Sequence, residues 1–150
     1  MKLGDILSIK RIAVPLSCED KPGIITELVD LLSSDKKIED RDEVLRAVLA
    51  REEVRSTGIG DGLAVPHAKS GACNELVAAV GKPAEPVDFA CNDGKPCEWI
   101  VLLVSPIDET GTHIQALARI SRLWLQSPFR EAIRQAQSAD EVYAAIIDHQ

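Results

Sequence analysis

Trp99-Ile100-Val101-Leu102-Leu103-Val104 is apolar at every position, with no polar residue alternating through it. A strand with one wet face shows a period of two, whereas a strand covered on both faces reads as a continuous apolar run. The stretch therefore predicts a central strand with helices on each side of its sheet. Just before it, Asn92-Asp93-Gly94-Lys95 has the turn chemistry of a β-hairpin. Leu76 to Val80 and Val87 to Phe89 read as further strands, as do Leu63-Ala64-Val65, ended by Pro66-His67, and Ile12 to Leu16.

Helical patterns flank these strands. Asp20 can cap a helix with Pro22 in its first turn and Ile24, Ile25, Leu28, Val29 and Leu32 along one face. A second helix is predicted from about Asp42, with Val44, Leu45, Val48 and Leu49 inward and Arg51, Glu52 and Glu53 at its end. Thr112 can cap a third that carries Ile114, Leu117, Ala118, Ile120, Ser121 and Leu125. Ser127-Pro128 opens a fourth, and Ser138 with Glu141 forms a capping box for the last. The order is strand, two helices, several strands, then three helices. It predicts one α/β domain over residues 1–150, a three-layer α/β/α sandwich with a mixed sheet.

Composition narrows the partners. The chain has 45% apolar residues, enough for a substantial core, and carries a formal charge of -7. Its pI near 4.9 disfavours nucleic acid. No apolar run approaches the roughly 20 residues that cross a bilayer. The opening MKLGDILSIKR is broken by Asp5 and Lys10, so a cytoplasmic location without direct membrane insertion is expected. Cys18, Cys73, Cys91 and Cys97 form no CxxC pair and read as reduced thiols, and the spacing of Cys91 and Cys97 does not suit a common zinc knuckle.

Motifs exclude several chemistries. In Gly58-Ile59-Gly60-Asp61-Gly62-Leu63 the third glycine of a dinucleotide fingerprint falls on Leu63, and a strand rather than a helix follows. There is no Walker loop, no GxSxG elbow and no HExxH. No cofactor or metal is expected. Three histidines remain. His149 is next to last and reads as solvated. His67 follows a strand-ending proline, where α/β sites commonly form, although a structural or surface histidine fits the same place. His113 falls in the first turn predicted after Thr112, where free N–H groups favour an anion and a neutral imidazole; an exposed polar residue fits there too. Arg51 is either a cation at a helix C-terminus or the planar fork that best suits a phosphoryl group.

The segment from Arg51 through Thr57 and Gly60-Asp61-Gly62-Leu63-Ala64-Val65-Pro66-His67-Ala68 resembles enzyme IIA of the bacterial phosphoenolpyruvate:sugar phosphotransferase system (PTS), in its fructose/mannitol and nitrogen-regulatory class. Thr112-His113-Ile114-Gln115-Ala116-Leu117 is similar to the family's helix that brings a second active-site histidine. The resemblance spans essentially the whole chain. It departs mildly at Ala68-Lys69, where many members have Gly after the histidine.

That resemblance implies a phosphotransferase without cofactor, in which His67 is the phosphoryl acceptor, through its Nε2 (tele) nitrogen, His113 its neighbour, and Arg51 the phosphoryl-binding arginine. Thr57 falls where the family often has a hydroxyl. The implied donor is a histidine-phosphorylated carrier resembling HPr. The implied recipient is a IIB domain or a regulatory target, the nitrogen-regulatory role being favoured. An alternative is a non-phosphorylated regulatory binding domain of the same fold, as in the cytoplasmic domains of anion exchangers.

Overall fold

A computed structural model describes residues 1–150. Two 3-10 turns, Leu3–Ile6 and Ile9–Arg11, lead into β1 (Ile12–Leu16), α1 (Lys21–Ser34) and α2 (Arg41–Val54). The strands β2 (Gly58–Gly60), β3 (Leu63–Ala64), β4 (His67–Lys69), β5 (Val77–Pro83) and β6 (Trp99–Ser105) follow. The helices α3 (Thr110–Trp124), α4 (Ser127–Gln135) and α5 (Ala139–His149) complete the chain.

The sheet order is β1-β5-β6-β3-β2, with β4 also paired to β6. Strand β6 is wholly buried and runs antiparallel to β5 but parallel to β3 and β4, so the sheet is mixed. Its side chains alternate between two cores. Ile100, Leu102 and Val104 pack with Ile24, Leu28, Leu32, Val44 and Val48 of α1 and α2. Trp99, Val101 and Leu103 pack with Ile120, Phe129, Ile133, Val142 and Ile146 of α3, α4 and α5. The α/β/α sandwich follows from the unbroken apolar run, because each face of β6 removes aliphatic side chains from water at about 1.5–3 kcal/mol apiece.

Helix starts follow the capping residues. Asp20 accepts from the Gly23 N–H, Asp40 from Glu43 and Ser138 from Glu141. Two helices begin earlier than the sequence suggests. Asp40 captures a backbone donor and starts α2 at Arg41 rather than about Asp42. Helix α3 starts at Thr110 after Glu109, with no side-chain cap, so Thr112 lies inside its first turn.

The sheet departs from expectation in three places. The hairpin turn is Gly60-Asp61-Gly62, between antiparallel β2 and β3, with φ of +109°, +54° and +94°. Glycine reaches these angles without the clash of a Cβ, and aspartate tolerates the middle one. Around Asn92-Asp93-Gly94-Lys95, by contrast, only an isolated bridge joins Val87 to Cys97, so Val87 to Phe89 is not a strand. Finally, Pro66 does not end the sheet at His67. It separates β3 from β4, and its carbonyl still accepts the Leu103 N–H at 3.0 Å, so His67 becomes the first residue of a second short parallel strand.

Candidate functional site

Three elements converge on one cleft of about 480 Å³, lined by Ala47 and Arg51 of α2, His67, Ala68 and Lys69 of β4, and Thr110, His113 and Ile114 of α3. Parallel pairing of His67 with Leu103 and of Lys69 with Ser105 puts these two side chains at the C-terminal end of β6, where α3 begins. Alternation along the strand turns Ala68 into the core below α2.

The two imidazoles are fixed by different partners. His67 Nδ1 lies 2.7 Å from the Val65 carbonyl oxygen. A carbonyl only accepts, so Nδ1 carries the proton and Nε2 keeps its lone pair. His113 is 4% exposed, and its Nδ1 lies 2.6 Å from Oγ of the buried Ser105. The ring centroids stand 5.2 Å apart.

Electrostatics favour neutral rings and an anionic guest. Burial lowers the His67 pKa, the Val65 carbonyl opposes it, Arg51 lowers it further and Glu52 raises it. For His113, burial first, then His67 and Lys69, lower the pKa to about 4. Both imidazoles are therefore held in the nucleophilic, uncharged form near neutral pH. No carboxylate lines the cleft, although the chain as a whole is acidic. Arg51 and Lys69 supply its cations, and the first turn of α3 has no side-chain cap to satisfy its N–H groups.

Arg51 donates one guanidinium N–H to the Arg55 carbonyl at 3.1 Å, which steadies the fork and leaves other donors for a ligand. Lys69 Nζ donates to Thr110 Oγ1 at 2.7 Å, tying β4 to the start of α3. Arg51, His67 and His113 thus come together as the sequence suggests. Thr57 does not line the cleft. It is 5% exposed, and its N–H and hydroxyl both donate to Glu52. His149 lies apart, donating from Nδ1 to the Ala145 carbonyl in α5.

Sequence reasoning misses Lys69, Thr110, Ser105 and Glu52. Lys69 carried a signal, since it stands two residues after His67 and shares its strand face. Glu52 carried another, since it extends the buried i, i+4 series of Val44 and Val48. Nothing local marks Ser105, whose role depends on a helix folding back over β6.

The family model for the phosphoenolpyruvate-dependent sugar phosphotransferase system, EIIA 2, matches residues 5–149. The fructose-specific EIIA component of Haloferax volcanii is 33% identical, with 95% of this chain and 94% of that protein covered. The fructose-specific EIIABC component of Bacillus subtilis is 32% identical over 99% of this chain, which spans only 24% of that longer protein. Among solved structures, nitrogen regulatory protein IIA-Ntr from Neisseria meningitidis superposes with a TM-score of 0.87 at 31% identity, covering 95% of this chain and 97% of that one. With a mixed sheet, a cationic cleft and two facing imidazoles in place, the chain belongs to the EIIA type 2 family of the phosphotransferase system.

Proposed function

We propose that this chain is a phosphocarrier in which Nε2 of His67 accepts a phosphoryl group from a histidine-phosphorylated, HPr-like protein. The observation that carries the reading is the 2.7 Å contact between His67 Nδ1 and the Val65 carbonyl. It leaves Nε2 as the nitrogen able to attack, in a cleft shared with Arg51 and His113.

The Nε2 lone pair forms the new N–P bond in line with the donor's N–P bond, which breaks and returns its electron pair to the donor ring. Such transfers depend mainly on positioning and charge stabilisation. Arg51 presents a planar set of donors to the equatorial oxygens, and a neutral His113 adds a polar neighbour without placing a second positive charge beside the ring that becomes cationic. The Nδ1–H···O=C bond to Val65 persists through the transfer and stabilises the positive charge the ring gains.

The phosphorylated form then passes its group to a IIB domain or serves as a regulatory signal. The 31% identity and near-complete overlap with IIA-Ntr support the nitrogen-regulatory role. Incubation with a phosphorylated carrier should label the wild type and leave His67→Ala unlabelled. Equal labelling of both overturns the assignment. Rapid loss of the label to an added IIB domain identifies onward transfer; retention in its presence supports signalling.

A further inference from the structure

Glu52 is a carboxylate that the transfer chemistry does not use, yet its side chain is only 5% exposed. It sits on the buried stripe of α2 and receives three donors. Lys21 Nζ at the start of α1 lies 2.5 Å from Oε1, the Thr57 N–H lies 3.0 Å from the same oxygen, and the Thr57 hydroxyl donates to Oε2. Burial opposes its ionisation, but the hydrogen bonds from Lys21 and Thr57 outweigh burial and hold its pKa below the ordinary carboxylate value. A buried charge with this many partners is a rigid anchor, and removing it strands Lys21 and two donors of Thr57.

The anchor leads to the histidine by consecutive bonds. The Thr57 carbonyl accepts the Val65 N–H at 3.0 Å. The Val65 carbonyl accepts the His67 Nδ1–H at 2.7 Å. Thr57 is the residue before β2 and Val65 the residue after β3, so these bonds close the open end of the glycine hairpin. The backbone of Val65 is therefore held at its N–H by Thr57 while its carbonyl oxygen sets the imidazole.

We infer that Glu52 is a positioning residue for His67, acting through Thr57 and the Val65 backbone to fix the imidazole as its Nδ1–H tautomer with Nε2 turned to the cleft. The role rests on the proposal that His67 receives the phosphoryl group, but its structural part holds for the unphosphorylated protein. It also gives the buried hydroxyl of Thr57 a task away from the phosphoryl group: the hydroxyl secures the carboxylate, and the carbonyl of the same residue secures Val65.

The full chain carrying Glu52→Gln tests this. A glutamine of the same shape accepts at one atom only and leaves Lys21 without its counter-ion. Ring nitrogen shifts of His67, read by NMR in the free protein, should move from the Nδ1–H form towards a tautomer mixture. Its titration midpoint should move down, because both the Val65 hydrogen bond and the Glu52 charge raise it, whereas Arg51, His113 and Lys69 remain unchanged around the ring. Single-turnover labelling by the phosphorylated carrier should slow on the order of 10- to 100-fold, the effect of a misaligned nucleophile.

Thr57→Val supplies the second variant, since it keeps the shape and both backbone bonds and removes only the hydroxyl. It should shift the same nitrogen signals by less, and Thr57→Ser should restore them. Wild-type nitrogen shifts, midpoint and labelling rate in a folded Glu52→Gln protein overturn the inference. So do unchanged His67 signals in Thr57→Val, should Glu52→Gln fail to fold. Absence of labelling in the wild type contradicts the proposed phosphocarrier role instead, and the tautomer measurement still decides the role of Glu52.

Discussion

The rings of His67 and His113 stand 5.2 Å apart at an interplanar angle of 60°, each held through Nδ1 by a different partner from a different strand neighbourhood. The Val65 carbonyl orients one and the Ser105 hydroxyl the other. Burial disfavours the protonated form of both rings, and the neighbouring His67 lowers the His113 pKa further.

Acid should weaken the fold through these two rings. Their pKa values are lower in the folded chain than the ordinary 6.5, so between that value and about 4 the unfolded chain binds more protons. Stability contributed by the neutral rings is fully present above pH 6.5 and is lost as the pH falls through this window. For His113 the loss amounts to about 2 kcal/mol by about pH 5. Urea unfolding at several pH values should show this slope in the wild type and a shallower one in His113→Gln; equal slopes contradict the burial argument.

Arg51 should be sensitive to geometry as well as charge. Arg51→Ala is expected to slow phosphorylation of His67 by about 100-fold, the usual loss for a transition-state donor. Arg51→Lys keeps the charge but not the fork, and should recover only part of that rate. Rapid-quench labelling distinguishes the cases, and a fully active lysine variant shows that charge alone suffices.

The glycine hairpin should tolerate little. A Cβ on Gly58 would lie 2.1 Å from Cys91 Sγ and 3.3 Å from the Cys91 backbone. Gly58→Ala must therefore displace the segment next to Thr57, at a cost of about 1–3 kcal/mol. Gly94→Ala meets no atom within 4 Å, although its φ is +70°, so it carries a backbone cost of about 1–2 kcal/mol and leaves the cleft untouched. Thermal unfolding gives the stabilities; His67 labelling should slow in the first variant and not in the second.

Much of the fold was readable because it depends on periodicity and caps. The apolar run ending at Val104 revealed the buried central strand, and Asp20 and Ser138 marked helix starts through short-range hydrogen bonds. Local sequence does not locate the hairpin, because Asn92-Asp93-Gly94-Lys95 and Gly60-Asp61-Gly62 both offer turn chemistry, and pairing partners distant in sequence decide between them. Asp61 is held from afar, its N–H donating to Asp93 and its carbonyl accepting from Trp124 Nε1. The site divides in the same way. Arg51, His67 and His113 are legible through the motifs that resemble the family's, since their residue types alone also fit ordinary structural roles, but Ser105 and Glu52 act through contacts that exist only once β6 and α2 are packed.

Central strand β6 should dominate stability. Leu102 is fully buried beneath α1 and α2, and Leu102→Ala leaves a cavity in that core. A loss of about 2–5 kcal/mol is expected, read as a lower denaturation midpoint. Exposed Val54, 82% accessible at the end of α2, should lose less than about 0.5 kcal/mol when changed to alanine.

Nuclear magnetic resonance of the phosphorylated chain, with nitrogen-15 in its histidines, tests the central claim most directly. The account predicts a single phosphorus–nitrogen coupling, at Nε2 of His67, with Nδ1 still protonated against the Val65 carbonyl. Phosphorus bonded to Nδ1 of His67, or to either nitrogen of His113, would contradict it.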